Sequence, residues 1–144
     1  MDENNNNNNQ LGEMNIADEV YAITAGNATI ETEGVAAMSG GFTGGIAKIL
    51  GRKNITKGVK VDKSEEGITV DLNLIVKYEV RIPEVTEKVQ KKVKEALETV
   101  TGAKVLAVNV NVLGIDMPDM EEDEEVDFTE EKKEDEEEED ENNN

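Results

Sequence analysis

The sequence predicts an α+β fold: a two-layer sandwich in which a small mixed sheet of 3-4 strands carries two helices on one face. Three stretches predict it. In the first, Ile68, Val70, Leu72, Leu74, Val76, Tyr78 and Val80 recur at every second position, the period that places an apolar set on one face of a strand. The residues between them are polar apart from Ile75, which alone breaks the alternation. In the second, after Pro83, Ile82, Val85, Val89, Val93, Ala96, Leu97 and Val100 fall at spacings of three and four, an apolar stripe along a helix. In the third, Leu106, Val108, Val110 and Val112 alternate with Asn109 and Asn111. Strand, helix and strand with tight joints imply a right-handed crossover and a parallel pairing or near-neighbour placement of the two strands. Each element has one apolar side and must bury it against another.

The first helix is expected to begin after Asn15 as N-cap, with Asp18 and Glu19 in its first turn, and to stop at Gly34. Ile16, Val20 and Ile23 mark its apolar face; Gly26 and Asn27 weaken it, or mark close packing by small residues. Val35–Met38 reads as a short strand. Residues 39–54 hold four glycines in six positions and read as a mobile loop with one or two helical turns from Ile46 to Leu50. Lys57–Asp62 is a strand, and Ser64-Glu65-Glu66-Gly67 has the composition of a hairpin turn. Pro83 suits the first turn of the long helix, and Thr101-Gly102 ends it. Glu84–Lys88 and Glu87–Lys91 are placed as i,i+4 pairs, worth about 0.2–0.5 kcal/mol each.

Residues 1–13 read as a disordered asparagine-rich leader, 14–118 as the α+β domain and 119–144 as a disordered acidic tail. Neither end holds enough apolar surface to offset a backbone ordering cost of about 1–2 kcal/mol per residue. The net charge of −19 belongs mostly to the tail. Asp119–Glu141 holds 17 acidic residues and 2 lysines, while residues 11–118 carry 15 acidic and 13 basic residues and are close to neutral.

The chain has no histidine and no cysteine, so the side chains most used for proton transfer near neutral pH, thiolate chemistry and transition-metal ligation are missing. Ser39 and Ser64 are the only serines, with no histidine to activate either. The acidic run lacks the spaced oxygens and turn glycine of a Ca²⁺ loop. No enzyme, cofactor or metal site is expected. No window approaches the 18 consecutive apolar residues of a membrane span, and the N-terminus has no basic-then-apolar signal, so a cytoplasmic protein without direct membrane insertion is the expectation.

The remaining chemistry lies around the glycine segment. Gly45 is followed by Ile46, so a Walker loop is excluded. Gly41-Phe42-Thr43-Gly44 matches the Gly-x-x-Gly clamp of KH domains, and Lys48, Arg52, Lys53, Lys57 and Lys60 follow it, which makes a KH-like RNA-binding module the alternative reading. The acidic tail argues against nucleic acid, since it would repel or compete with a phosphate backbone. Phe42 suits either an interface anchor or the chain's own core. An interaction surface is expected to draw on Phe42, Lys48, Arg52, Lys53, Lys57 and Lys60, and on Lys77, Lys88 and Lys91 from the polar sheet face and the helix. Asp71, Asn73 and Glu79 share that polar sheet face with Lys77.

The runs EGVAAMSGGFTGGIAKILGRKNITKGVKVD (Glu33–Asp62), VDLNLIVKYEVRIPEVTEKVQKKVKEALETVTG and VLAVNVNVLGI closely resemble the alkaline shock protein family, the envelope stress response proteins of Gram-positive bacteria. The resemblance covers about residues 14–117; Lys57-Gly58-Val59, Ile82-Pro83-Glu84-Val85 and Val108-Asn109-Val110 are among its most specific pieces. It implies a small cytoplasmic non-enzyme in cell-envelope homeostasis that self-associates as a homo-oligomer and reaches the membrane through a membrane-anchored protein partner. Other relatives are associated with fatty-acid metabolism, so a regulator of that kind is a further alternative. The family brings no catalytic motif, and this chain departs from it in its leader and tail.

Overall fold

The computed structural model describes residues 11–118; the asparagine run before them and the acidic segment after them, both read above as disordered, lie outside the described residues. In chain order the elements are α1 (Asp18–Ile30), β1 (Val35–Thr43), β2 (Ile46–Leu50), a short 3-10 helix (Arg52–Gly58), β3 (Val59–Ser64), β4 (Gly67–Lys77), α2 (Ile82–Thr101) and β5 (Val105–Asp116). The five strands form one mixed sheet. Its common member is β4. β5 runs parallel along one edge of it, from Ile68 opposite Val105 to Lys77 opposite Asp116. The other edge is divided: β3 pairs antiparallel with Gly67–Leu72, and β1 pairs antiparallel with Leu74–Val76. β2 then adds to β1.

The alternation in β4 has its expected consequence. Ile68, Val70, Leu72, Leu74 and Val76 are buried on the helix side and meet Val85, Val89, Val93 and Leu97 of α2 in one core with Tyr21, Ala25 and Ala28 of α1. Full burial of such side chains contributes about 1.5–3 kcal/mol each. Pro83 sits in the first turn of α2, and Gly102 closes its end in the left-handed conformation at φ 78°. On the solvent side Lys91 meets Glu87 at 3.3 Å, whereas Glu84 pairs with Arg81 at 3.3 Å in place of Lys88. The Gln90 amide donates to the Val108 carbonyl at 3.0 Å, tying α2 to β5.

Five local expectations are corrected. α1 begins at Asp18 behind Ala17, without a side-chain cap from Asn15. It buries Tyr21, Ala22, Ala25, Gly26, Ala28 and Thr29 and leaves Val20 and Ile23 exposed. Small residues define that face because the helix packs closely: a Cβ on Gly26 would come within 3.0 Å of Ile55 in the 3-10 helix. The buried Thr29 and Thr32 hydroxyls donate to the Ala25 and Ala28 carbonyls at 2.8 Å, so neither costs an unmet hydrogen bond. Next, β4 ends at Lys77, and Tyr78 is exposed because the chain turns through Glu79 at φ 71°. At the far end of α2, Val100 is 64% exposed, past the last turn that the sheet covers. Finally, a bulge between the Ile68–Val105 and Thr69–Ala107 pairs shifts the phase of β5, so Val105 is buried and Leu106 faces water.

Lys63 and Asp18 fasten β3 to the start of α1 at 2.8 Å, with the ammonium 5.3 Å from the centre of the Tyr21 ring. The hydrogen bond to Asp18 is the main reason that the Lys63 pKa lies above the ordinary lysine value.

Two substitutions in the predicted stripes separate core from surface. Leu72→Ala is expected to lower unfolding free energy by about 2–5 kcal/mol, since its side chain is fully buried. Val100→Ala is expected to stay within about 0.5 kcal/mol of the parent. Urea denaturation of both variants checks the assignment.

Candidate interaction surface

The glycine segment is the largest departure from expectation. It forms a β-hairpin, not a mobile loop, and the helical turns expected at Ile46–Leu50 are strand β2. Gly44 and Gly45 have φ of 62° and 84°, the pair of positive values that a two-residue hairpin turn requires. A bulge between Ser39 and Phe42 bends β1. The buried Ser39 hydroxyl holds that bend: it accepts from the Gly41 amide at 3.1 Å and donates to the Gly41 carbonyl at 3.4 Å. The Gly41–Gly44 stretch therefore lies within a strand and its turn. It does not join two helices, and the KH-type clamp has no structural counterpart in it. Glycines and a sharp bend read as a loop from composition; the signal available was the pairing of Met38 and Leu50, two apolar residues on either side of the turn.

The bent hairpin explains Ile75. That residue points away from the main core, yet it is only 3% exposed. It pairs with Gly114 in β5, where a Cβ would lie 3.3 Å from the Ala47 methyl and 3.6 Å from Ile75 Cγ1. The hairpin thus folds back over the outer face of the sheet, and Gly114 leaves the space that Ala47 enters. Beside this contact Phe42, opposite Ala47, is 60% exposed, and Ile46, Ile49 and Ile115 are exposed as well. Phe42 therefore stands at the surface and not in the core.

The candidate cations fall in several places. Lys48 and Lys57 line one groove, about 280 Å³ in volume, with Ile49, Leu50, Gly51 and Asn54. Arg52 and Lys53 are exposed on the 3-10 helix that borders it. Lys60 is separate: it lines a cleft with Asp18 and Glu19 of α1. Lys77 lies at the far end of β4, in a cleft with Tyr78, Glu79, Asp116 and Pro118. Lys88 and Lys91 stand on the outer side of α2, the layer opposite the hairpin. The nine residues named from sequence thus do not make one surface; five of them, Phe42, Lys48, Arg52, Lys53 and Lys57, belong to the hairpin and the turn that follows it.

The polar sheet face also has an internal order. Asn109 donates to Asp71 at 2.7 Å and Asn111 to Asn73 at 3.0 Å, a side-chain ladder across the parallel pair. Composition placed these residues on one face but gave no register. Among the described residues no group of three His, Cys, Asp or Glu side chains is placed to hold a metal ion. Among them, too, no helix is long and apolar enough to cross a membrane.

Comparison with known proteins agrees on one family. The model of the alkaline shock protein family, whose description reads "cell envelope-related function", matches residues 6–117. "Uncharacterized protein YqhY" of Bacillus subtilis is 36% identical over 117 residues, spanning 81% of this chain and 87% of its own length. "Uncharacterized protein YloU" of the same organism is 35% identical over 108 residues, 74% of this chain and 90% of its own. A "stress response regulator gls24 homolog" of Streptococcus pyogenes is 26% identical over 116 residues, 80% of this chain and 65% of its own. No solved structure matches.

The fold-back of the hairpin is testable at Gly114. Gly114→Val would place two methyl groups where Ala47 and Ile75 meet. An unfolding free energy lower by about 1–3 kcal/mol in urea denaturation is expected; unchanged stability would show that the hairpin does not rest on this face.

Proposed function

This chain belongs to the alkaline shock protein family, a family of cell envelope-related function that includes stress response regulators of the Gls24 type, and from that premise we propose that it is a non-enzymatic interaction protein. It acts in envelope stress or homeostasis by contact with other proteins. It associates with further copies of itself and reaches the membrane from the cytoplasm through a membrane-anchored partner.

The observation that carries this reading is the apolar, cationic surface of the hairpin. Phe42, Ile46 and Ile49 are exposed on the hairpin, and Ile49 lines a groove with Lys48 and Lys57. A large aromatic side chain set among apolar neighbours is the residue type that anchors protein interfaces. β2 is also an edge strand, and an edge leaves backbone donors and acceptors open to a partner strand. The described helices do not combine a strong apolar stripe with a basic polar face: α2 alternates Lys with Glu along its solvent side, so a protein intermediary fits better than direct adsorption to anionic lipid. The absence of histidine and cysteine from the whole sequence supports the non-enzymatic part of the reading.

Light scattering at several protein concentrations tests self-association. The mean mass is expected to rise with concentration, and Phe42→Ser combined with Ile49→Ser is expected to shift that rise to at least about tenfold higher concentration, the effect of losing roughly 1.4 kcal/mol of contact. A mass that stays monomeric at every concentration would contradict it.

A further inference from the structure

We propose that the acidic segment Asp119–Glu141 of this chain seats, within the same molecule, on the groove formed by β2 and the 3-10 helix. It competes there with any anionic partner. Three observations converge on it. Between Gly34 and Val61 the chain has Lys48, Arg52, Lys53, Lys57 and Lys60 and no carboxylate at all. Within the described residues the ion pairs lie elsewhere: Lys91 meets Glu87 and Lys94 meets Glu98 on α2, Lys92 reaches Glu31, and Lys63 holds Asp18. Lys91, Lys92 and Lys94 of α2 each have a carboxylate partner; Lys48, Arg52, Lys53 and Lys57 have none among the described residues.

The second observation is where the acidic segment starts. Gly114 of β5 lies against Ala47 of β2, and the strand runs on to Asp116, which shares a cleft with Pro118, Lys77, Tyr78 and Glu79. The 23 residues Asp119–Glu141 span at most about 76–83 Å when extended, far more than the radius of gyration of about 13 Å of a domain this size, so the segment reaches any face of it. Attachment at that point gives the segment an effective concentration of about millimolar order at the groove, without any affinity from a free peptide.

The third is chemical fit. Asp119–Glu141 carries a net −15 and interrupts its acids with Met120, Val126 and Phe128. The groove is mainly polar, with Lys48 and Lys57 beside Asn54 and Ile49. A run of acidic side chains is the charge complement of that lining. Because the charges are exposed, the contact is screened by salt, with a Debye length of about 10 Å at 0.1 M.

The chain contains no cysteine, so a single nitroxide can be placed on the full-length protein through Asp123→Cys. Amide signals of residues 46–57 are expected to lose at least about half their intensity at low salt and to recover at about 0.5 M NaCl, where screening shortens to a few ångströms. Amides on the solvent side of α2 are expected to keep theirs. Adding Lys48→Glu, Arg52→Glu, Lys53→Glu and Lys57→Glu to the labelled chain should abolish the loss. Weak, uniform attenuation, or attenuation centred on α2, would overturn the proposal. So would equal attenuation between a spin-labelled molecule and a separate isotope-labelled one, which would place the contact between copies.

Discussion

β4 has two edges, and both are filled: the fold depends on that constraint. A strand buried on both sides of its hydrogen-bond ladder cannot slip, because a one-residue shift would turn Ile68, Val70, Leu72, Leu74 and Val76 out of the core together. The parallel partner β5 can reach its edge only through a crossover, which α2 supplies, and α2 is thereby held over the same face that β4 buries. The second edge is shared end to end by β3 and β1. β1 meets only Leu74–Val76 of β4, so the hairpin it begins is left free to bend away and cover Ile75 on the other side.

The legible parts of this fold were those whose periodicity is long and carried by large side chains. β4 and α2 repeat their apolar pattern over several turns or pleats, and their proline and glycine boundaries act through backbone geometry that composition reveals. The strand–helix–strand pairing and its parallel sense followed from chain connectivity. The hairpin was not legible because its strands are short, its residues small, and its bulge removes the alternation that marks a strand. One clue was present. Ile75 broke an otherwise regular pattern, and the structure shows that an apolar residue there is covered by a second element. In α1 and β5 the errors share a cause: the inward face was assigned to the largest apolar residues, whereas close helix packing favoured Ala22, Ala25 and Gly26, and a bulge favoured Val105 over Leu106.

The candidate surface was legible as a list and not as a place. Charge alone drew Lys60, Lys77, Lys88 and Lys91 together with the hairpin cations, though the fold sets them on other elements. What unites the remaining group is three-dimensional: β2 bends over the sheet, and the 3-10 helix that follows brings Lys57 back to Lys48. The core accounts for most of the apolar stripes of β4 and α2. The hairpin and the turn after it expose both apolar and charged side chains.

Native-state hydrogen exchange, residue by residue, tests the central role of β4 most directly. Amides of β4 and of the buried face of α2 are expected to exchange slowest and together, at the free energy of global unfolding, while the β1–β2 hairpin opens at lower cost. Exchange of β4 amides before those of the hairpin, or independently of α2, would contradict that role.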